Sequence, residues 1–257
     1  MGRRIVTVDE TESTNTLAMR MIDEPDADGL VILAERQVAG RGRLGATWLS
    51  PRGASVLCSV LIRSSTDMQS EAAADHEEQS GISAWLTQVS SVAVCEAIRR
   101  ATGIYAAIKW PNDIRVNGRK LGGILIESRM LPDRTRGWVV GIGINCLQHE
   151  AHFPEELRPT STSLELEARD PVDRIAVARE LLIALDDWLV ADTWGRTAQA
   201  HSAWMIWAEP IGQRVALERE GRRYTGWSVD VDPAGGLIVR LESGQLEWFD
   251  PMRTRWL

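Results

Sequence analysis

Apolar and polar positions along the chain follow two rhythms, and their order outlines a mixed fold. Ile82, Leu86, Val89, Ala93 and Ala97 recur at steps of four, three, four and four, which predicts a helix with one buried face and a stop at Gly103. Leu17, Ala18, Met21 and Ile22 follow the helix-capping types Ser13, Thr14 and Asn15, so a shorter helix is predicted to start there. Ile175, Leu182, Leu185 and Leu189 place another helix over residues 173–190, and residues 193–207 hold a further one. Apolar runs predict strands at 5–8, 30–34, 54–62, 107–109, 113–116, 122–127 and 138–144, with a turn at Asn117-Gly118. Residues 64–80 turn polar and acidic and read as an exposed insertion.

Beyond Pro210 the texture changes. Short strands at 215–217, 224–229, 237–241 and 245–249 alternate with Gly221, residues 232–236 and Ser243-Gly244, which predicts a small β-barrel. The chain therefore divides into residues 1–208 and residues 209–257.

Composition narrows the function classes. With 257 residues, 44% hydrophobic and 25% charged, the chain has material for a sizeable core, and disorder is excluded. No stretch approaches the roughly 18 uninterrupted apolar residues of a membrane span, and the N-terminus has no apolar signal core, so a cytoplasmic protein without a membrane partner is expected. A net charge of −7 argues against a general nucleic-acid binder, so any basic chemistry must be local. Cys58, Cys95 and Cys146 are odd in number and widely spaced, which suggests buried apolar thiols rather than disulfides or zinc. His76, His149, His152 and His201 stand outside every motif, so no histidine base or metal triad is expected.

Local basic chemistry is found at Gly40-Arg41-Gly42-Arg43-Leu44-Gly45. Glycine allows close backbone approach to an anion, and arginine offers a planar fork to carboxylate or phosphate. The string alone is equally compatible with a solvated turn, and it matches neither a Walker loop nor a dinucleotide fingerprint. Lys109-Trp110-Pro111-Asn112-Asp113 sets a lysine, an amide and a carboxylate around a proline turn, and Lys120-Leu121-Gly122-Gly123 puts a second lysine at the mouth of a buried strand. Either motif alone also suits an ordinary hairpin with surface lysines. Gly141-Ile142-Gly143-Ile144-Asn145 reads as a strand against which something packs closely.

In this order, these segments resemble the biotin protein ligase family. The match includes Ser13-Thr14-Asn15, Gln37 with residues 40–45, Trp48, Ser50-Pro51, residues 109–113, 120–127 and 141–145, and extends through residues 153–157 and 162–164 into the C-terminal β-domain. The resemblance implies an α+β fold, a mixed central sheet with helices of the class II synthetase-like kind, plus a small SH3-like barrel. It also implies that biotin is activated with ATP and magnesium as biotinyl-5'-adenylate, then transferred to a lysine of a biotin carboxyl carrier protein. Arg41, Arg43 and Lys120 are then the expected catalytic cations. Ser13, Thr14, Asn15, Gln37, Gly40, Gly122 and Gly123 join them around biotin. Trp48, Asn112, Asp113 and Asn145 join them around ATP, with Asp113 as the magnesium ligand or else a turn-stabilising carboxylate. Only twelve residues precede Ser13, so no DNA-binding domain and no DNA partner are expected, and the chain is read as a monofunctional monomer or homodimer. The end at Trp248-Phe249-Asp250-Pro251 departs from the glycine-bearing end usual in the family.

Two rival readings stay open. A lipoate or octanoate ligase or transferase shares the implied fold, although Gly-Arg-Gly-Arg-x-Gly with Lys-Leu-Gly-Gly favours biotin. A non-catalytic biotin binder would have no use for a phosphate clamp of Arg41, Arg43 and Lys120.

Overall fold

The computed structural model describes residues 4–63, 76–132, 135–189, 197–232, 236–251 and 253–257. Seven strands form the main sheet: β1 (Ile5–Thr11), β2 (Val31–Gln37), β3 (Ser55–Arg63), β4 (Ala107–Lys109), β5 (Asp113–Val116), β6 (Arg119–Met130) and β7 (Arg136–Asn145). Their order is β1-β2-β3-β7-β6-β5-β4. Only β1 and β2 are parallel, because the helix α1 (Thr14–Met21) crosses over between them. Asn117 (φ 49°) and Gly118 (φ 76°) take the left-handed conformation that lets a two-residue turn join β5 to β6.

Side chains on the central strands alternate between two cores. Leu61 and Val139 face α1, with Ala18 and Ile22. Val60 and Val140 face the opposite layer of α2 (His76–Thr102), α4 (Arg174–Leu189) and α5 (Thr197–Trp207). The helix α2 ends at Gly103, whose φ is 72°, as its periodicity predicts. Residues 81–102 within it are long and apolar enough to cross a membrane, yet 78% of their most apolar window is buried inside this fold. Of the acidic stretch at 64–80, residues 64–75 lie outside the described residues, and 76–80 open α2. Asp173 caps α4 by accepting hydrogen bonds from the Ile175 and Ala176 amides. The three cysteines are free and buried, and burial pushes the thiols of Cys58 and Cys146 up to about 12.

A short helix α3 (Leu164–Glu167) precedes α4, and the chain after α5 forms a second, wholly antiparallel sheet. Its strands are β8 (Arg214–Arg219), β9 (Arg222–Val231), β10 (Leu237–Leu241), β11 (Leu246–Phe249) and β12 (Thr254–Trp256), in the order β11-β10-β9-β8-β12. The expected barrel is not closed among the described residues, since β11 and β12 remain at the two ends of the sheet. The sheet is curled instead by Arg219 of β8, which pairs with Glu247 at 2.6 Å, donates to the Trp248 carbonyl and covers the rings of Tyr224 and Phe249. At the chain's passage from α5 to β8, the Glu209 amide donates to the Ile108 carbonyl of β4. The second sheet is thus held against the edge of the first.

Candidate active site

A cavity of about 530 Å³ opens on the α1 side of the main sheet. Ser13, Thr14, Asn15, Gln37, Arg41, Arg43, Trp48, Asn112, Asp113, Lys120 and Gly123 all line it, so most of the residues singled out in the sequence converge. Gly40, Gly122 and Asn145 are not among its described lining residues.

At one end, the start of α1 meets the end of β2. Gln37 Oε1 accepts from the Thr14 amide at 2.7 Å and from the Thr14 hydroxyl at 3.0 Å. Ser13 has the extended backbone of a helix N-cap but makes no side-chain cap bond, and Gln37 satisfies the amide of the first helical residue, Thr14, one of the donors that a helix start leaves free. Below them, the fully buried Ser59 of β3 lies 2.7 Å from Thr14 Oγ1 and 2.6 Å from Asn15 Oδ1. Asn15 Nδ2 donates to Glu127 at 2.7 Å and to the Leu125 carbonyl, so its amide is occupied at both ends. Asn15 braces this wall more than it faces the space. Ser59 carries no motif signal, sitting in a strand that reads as continuous apolar core.

The glycine-rich loop forms the opposite lip. It folds back on itself through bonds from Gly42 to Ala46 and from Trp48 to Gly40, with Leu44 (φ 52°) and Gly45 (φ 79°) in the left-handed region. Arg41 reaches Glu127 with both carboxylate oxygens at 2.9 Å and Thr16 at 2.7 Å. Arg43 turns the other way, donating to Asn112 Oδ1 at 3.1 Å and to the carbonyls of Pro251 and Thr254. Burial lowers the pKa of Arg43, opposed by Asp113 and Asp250, and a guanidinium remains charged under such a shift.

The third wall is built by a bulge. Between Ile114 and Arg115 of β5 the pairing with β6 jumps from Gly122 to Lys120, so Leu121 is the extra residue. The bulge rotates Lys120 onto the face of Gly123, a change that regular alternation would not produce. Lys120 Nζ stands 2.5 Å from Asp113 Oδ1, and its backbone is clamped by bonds to Thr160 and Thr162. Lys109 also lines the cavity and lies 4.3 Å from the ring centre of Trp256. Burial lowers the Lys109 pKa, with the charge of Arg115 adding to it. Arg255 and Trp256 come from β12, a three-residue strand that the sequence pattern does not reveal.

Glycines set the floor. A Cβ on Gly143 would stand 2.7 Å from the indole of Trp48, so Trp48 lies directly on the β7 backbone. Its buried Nε1 has no partner among the described residues. A Cβ on Gly122 would meet the Gly143 carbonyl at 2.7 Å, which gives that glycine a packing reason on the far face. Asn145 sits two residues beyond Gly143, but the Thr162 segment covers it: its Nδ2 donates to the Thr162 carbonyl at 3.0 Å and its Oδ1 accepts from Gln148. No cluster of three or more potential metal-ligating His, Cys, Asp or Glu residues occurs among the described residues. The single carboxylate of Asp113 fits magnesium that arrives with phosphates, since that ion commonly keeps waters and takes only one or two protein carboxylates.

Residues 7–145 match the model of the biotin/lipoate A/B protein ligase family, and residues 211–250 match that of the biotin protein ligase C-terminal domain. The chain is 32% identical over 248 residues to the bifunctional ligase/repressor BirA of Bacillus subtilis, covering 95% of this chain and 71% of that relative. It is 32% identical over 244 residues to the biotin–[acetyl-CoA-carboxylase] ligase of Mycobacterium tuberculosis, covering 92% of this chain and 83% of that protein. Among solved structures, the biotin protein ligase of Aquifex aeolicus in complex with biotin and ATP superposes with a TM-score of 0.75 at 25% identity, over 99% of both chains.

Proposed function

This chain belongs to the biotin protein ligase family, and from that premise we propose that its cavity joins biotin to ATP and passes the biotinyl group to a carrier lysine. The enzyme is a biotin–[acetyl-CoA-carboxylase] ligase. The observation that carries the reading is the distribution of polarity around one cavity: a hydrogen-bonding end at Thr14 and Gln37, apolar walls at Leu57, Leu125 and Trp48, and cations at Arg41, Arg43 and Lys120. Biotin has the matching order of parts, a ureido edge, an apolar bicycle with its chain, and a carboxylate.

Adenylation brings a carboxylate against the α-phosphate of ATP, and the barrier contains the repulsion of two anions. Arg43 and Lys120 offset it with fixed positive charge in a partly dry site, where such groups need little reorganisation during reaction. A carboxylate oxygen of biotin bonds to the α-phosphorus as the bond to pyrophosphate breaks, and no protein nucleophile is involved. Asp113 faces the same space and would hold magnesium, which would further neutralise the phosphates when bound, while the Asn112 amide is committed to Arg43 and to the Ile124 carbonyl. In the second step the neutral amine of the carrier lysine attacks the acyl carbon, AMP leaves with the electron pair, and the nitrogen gives up its extra proton to water. The Trp48 indole is assigned to the adenine side. Asn145 is assigned to positioning the wall behind the adenine through Thr162.

We assign the partner as a biotin carboxyl carrier domain and the place of action as the cytoplasm, where ATP is available. The net charge of −7 favours a role without DNA, and we assign the chain as a monomer or homodimer. ATP–pyrophosphate exchange tests the proposal. It should depend on biotin and be absent with lipoate or octanoate, and exchange driven by those acids instead would replace the reading.

A further inference from the structure

Glu127 is not among the residues that line the cavity, yet it touches two that do. We propose that Glu127 and Thr16 are positioning residues, which set the Arg41 guanidinium in the orientation used for adenylation. The inference rests on the ligase reading above and adds to it residues that act only through Arg41.

The geometry begins at β6. Both oxygens of the Glu127 carboxylate lie 2.9 Å from Arg41 Nη2, while Thr16 Oγ1, in the first turn of α1, accepts from Arg41 Nη1 at 2.7 Å. The guanidinium is therefore held from a strand and from a helix that Asn15 links through its bonds to Leu125 and Glu127. An exposed ion pair by itself contributes little, since water screens it and side-chain entropy opposes it. This pair differs at the acid. Glu127 Oε2 also accepts from Asn15 Nδ2 at 2.7 Å, and Asn15 is 3% exposed with its other amide atom bound to Ser59. Moving Glu127 would strand a buried amide, so the carboxylate is a fixed point to which a mobile arginine is tied.

Charge gives a second reason. A carboxylate beside a site for two anionic substrates raises their repulsion unless its own charge is neutralised. Arg41 neutralises it, and the Arg41 Nε–H is left for a ligand because the bonds to Glu127 and Thr16 use the two terminal nitrogens. Three glycines in residues 40–45 would otherwise leave the arginine many orientations, and fixing one before substrate arrives lowers the entropy lost in the transition state.

Glu127→Gln keeps the shape and an acceptor for Asn15 but removes the ion pair. With biotin and ATP saturating, it should lower kcat for pyrophosphate exchange between about 10-fold and 10²-fold, the range for a reacting group that loses its support. In an Arg41→Met background, the same change should have no further effect. Thr16→Val, nearly isosteric, should lower kcat in the same direction by less. A separate readout uses no ligand: amide hydrogen exchange at Gly42 and Trp48 should speed up several-fold in Glu127→Gln at an unchanged global unfolding midpoint. Unaltered exchange at these amides overturns the proposal, as does an equal loss of kcat with and without Arg41. A wild-type protein inert with biotin would overturn the ligase reading instead, and the ligand-free exchange would still decide whether Glu127 anchors the loop.

Discussion

Lys120 of β6 and Asp113 of β5 form an ion pair of 2.5 Å at the rim of the cavity, on the face to which the β-bulge turns Lys120. Each group limits the other's freedom, so the lysine is held in place for a developing negative charge.

Lys120→Ala should therefore reduce formation of biotinyl-adenylate by about 10² or more, the scale of losing one preorganised electrostatic contact, while biotin binding changes much less. Single-turnover adenylate formation and equilibrium biotin titration separate the two effects. Adenylation near the wild-type rate would remove Lys120 from the assigned role.

Ser59 lies beneath Thr14 and Asn15 without touching the cavity. Ser59→Ala leaves the buried Asn15 Oδ1 unsatisfied, which should lower stability by about 1–3 kcal/mol in a denaturant titration and weaken biotin binding in parallel. A variant as stable as wild type would mean that Asn15 finds another donor.

Arg43 ties the glycine-rich loop to Asn112 on one side and to the Pro251 and Thr254 carbonyls on the other. Arg43→Gly should free the lip of the cavity, so that adenylate escapes and labels lysines of a bystander protein. The check is the release rate of biotinyl-adenylate together with mass spectrometry of the bystander, and equal release from both proteins would count against a gating role.

The whole chain contains two lysines, Lys109 and Lys120, and both line the cavity. Burial lowers the Lys109 pKa, so a larger fraction of its amine is neutral at a given pH than for an ordinary lysine. Labelling of Lys109 by an amine-reactive ester should have its midpoint below pH 10.5, the ordinary lysine value. Biotin and ATP together should slow it. Peptide mapping across a pH series reads both effects, and a midpoint at or above the ordinary value would contradict the burial argument.

The elements of the fold were legible because burial writes its period into local sequence. The steps of three and four from Ile82 to Ala97 marked a core helix, although its neighbours bury α2 on nearly every side, with only Thr87 and Glu96 partly exposed between Ala84 and Ile98, and Asn117-Gly118 between two alternating runs marked a tight hairpin turn. Motif order likewise brought Thr14, Gln37, Arg43 and Lys120 into view before their distances were known. What tertiary structure alone decided are relationships that spacing does not carry. Arg41 meets Glu127 across 86 residues, and Arg43 meets Thr254 across 211, because strand order and the docking of the second sheet juxtapose them. A strand as short as β12 has too few positions to show a period, so the placement of Arg255 and Trp256 at the cavity could not be foreseen. Asn145 lies on the face that alternation assigns to it, yet the Thr162 segment covers it, and Lys120 reaches the cavity only through an unpaired residue in β6. Local sequence specifies which face of an element is buried, whereas the partner that covers that face is chosen by the packing of the entire chain.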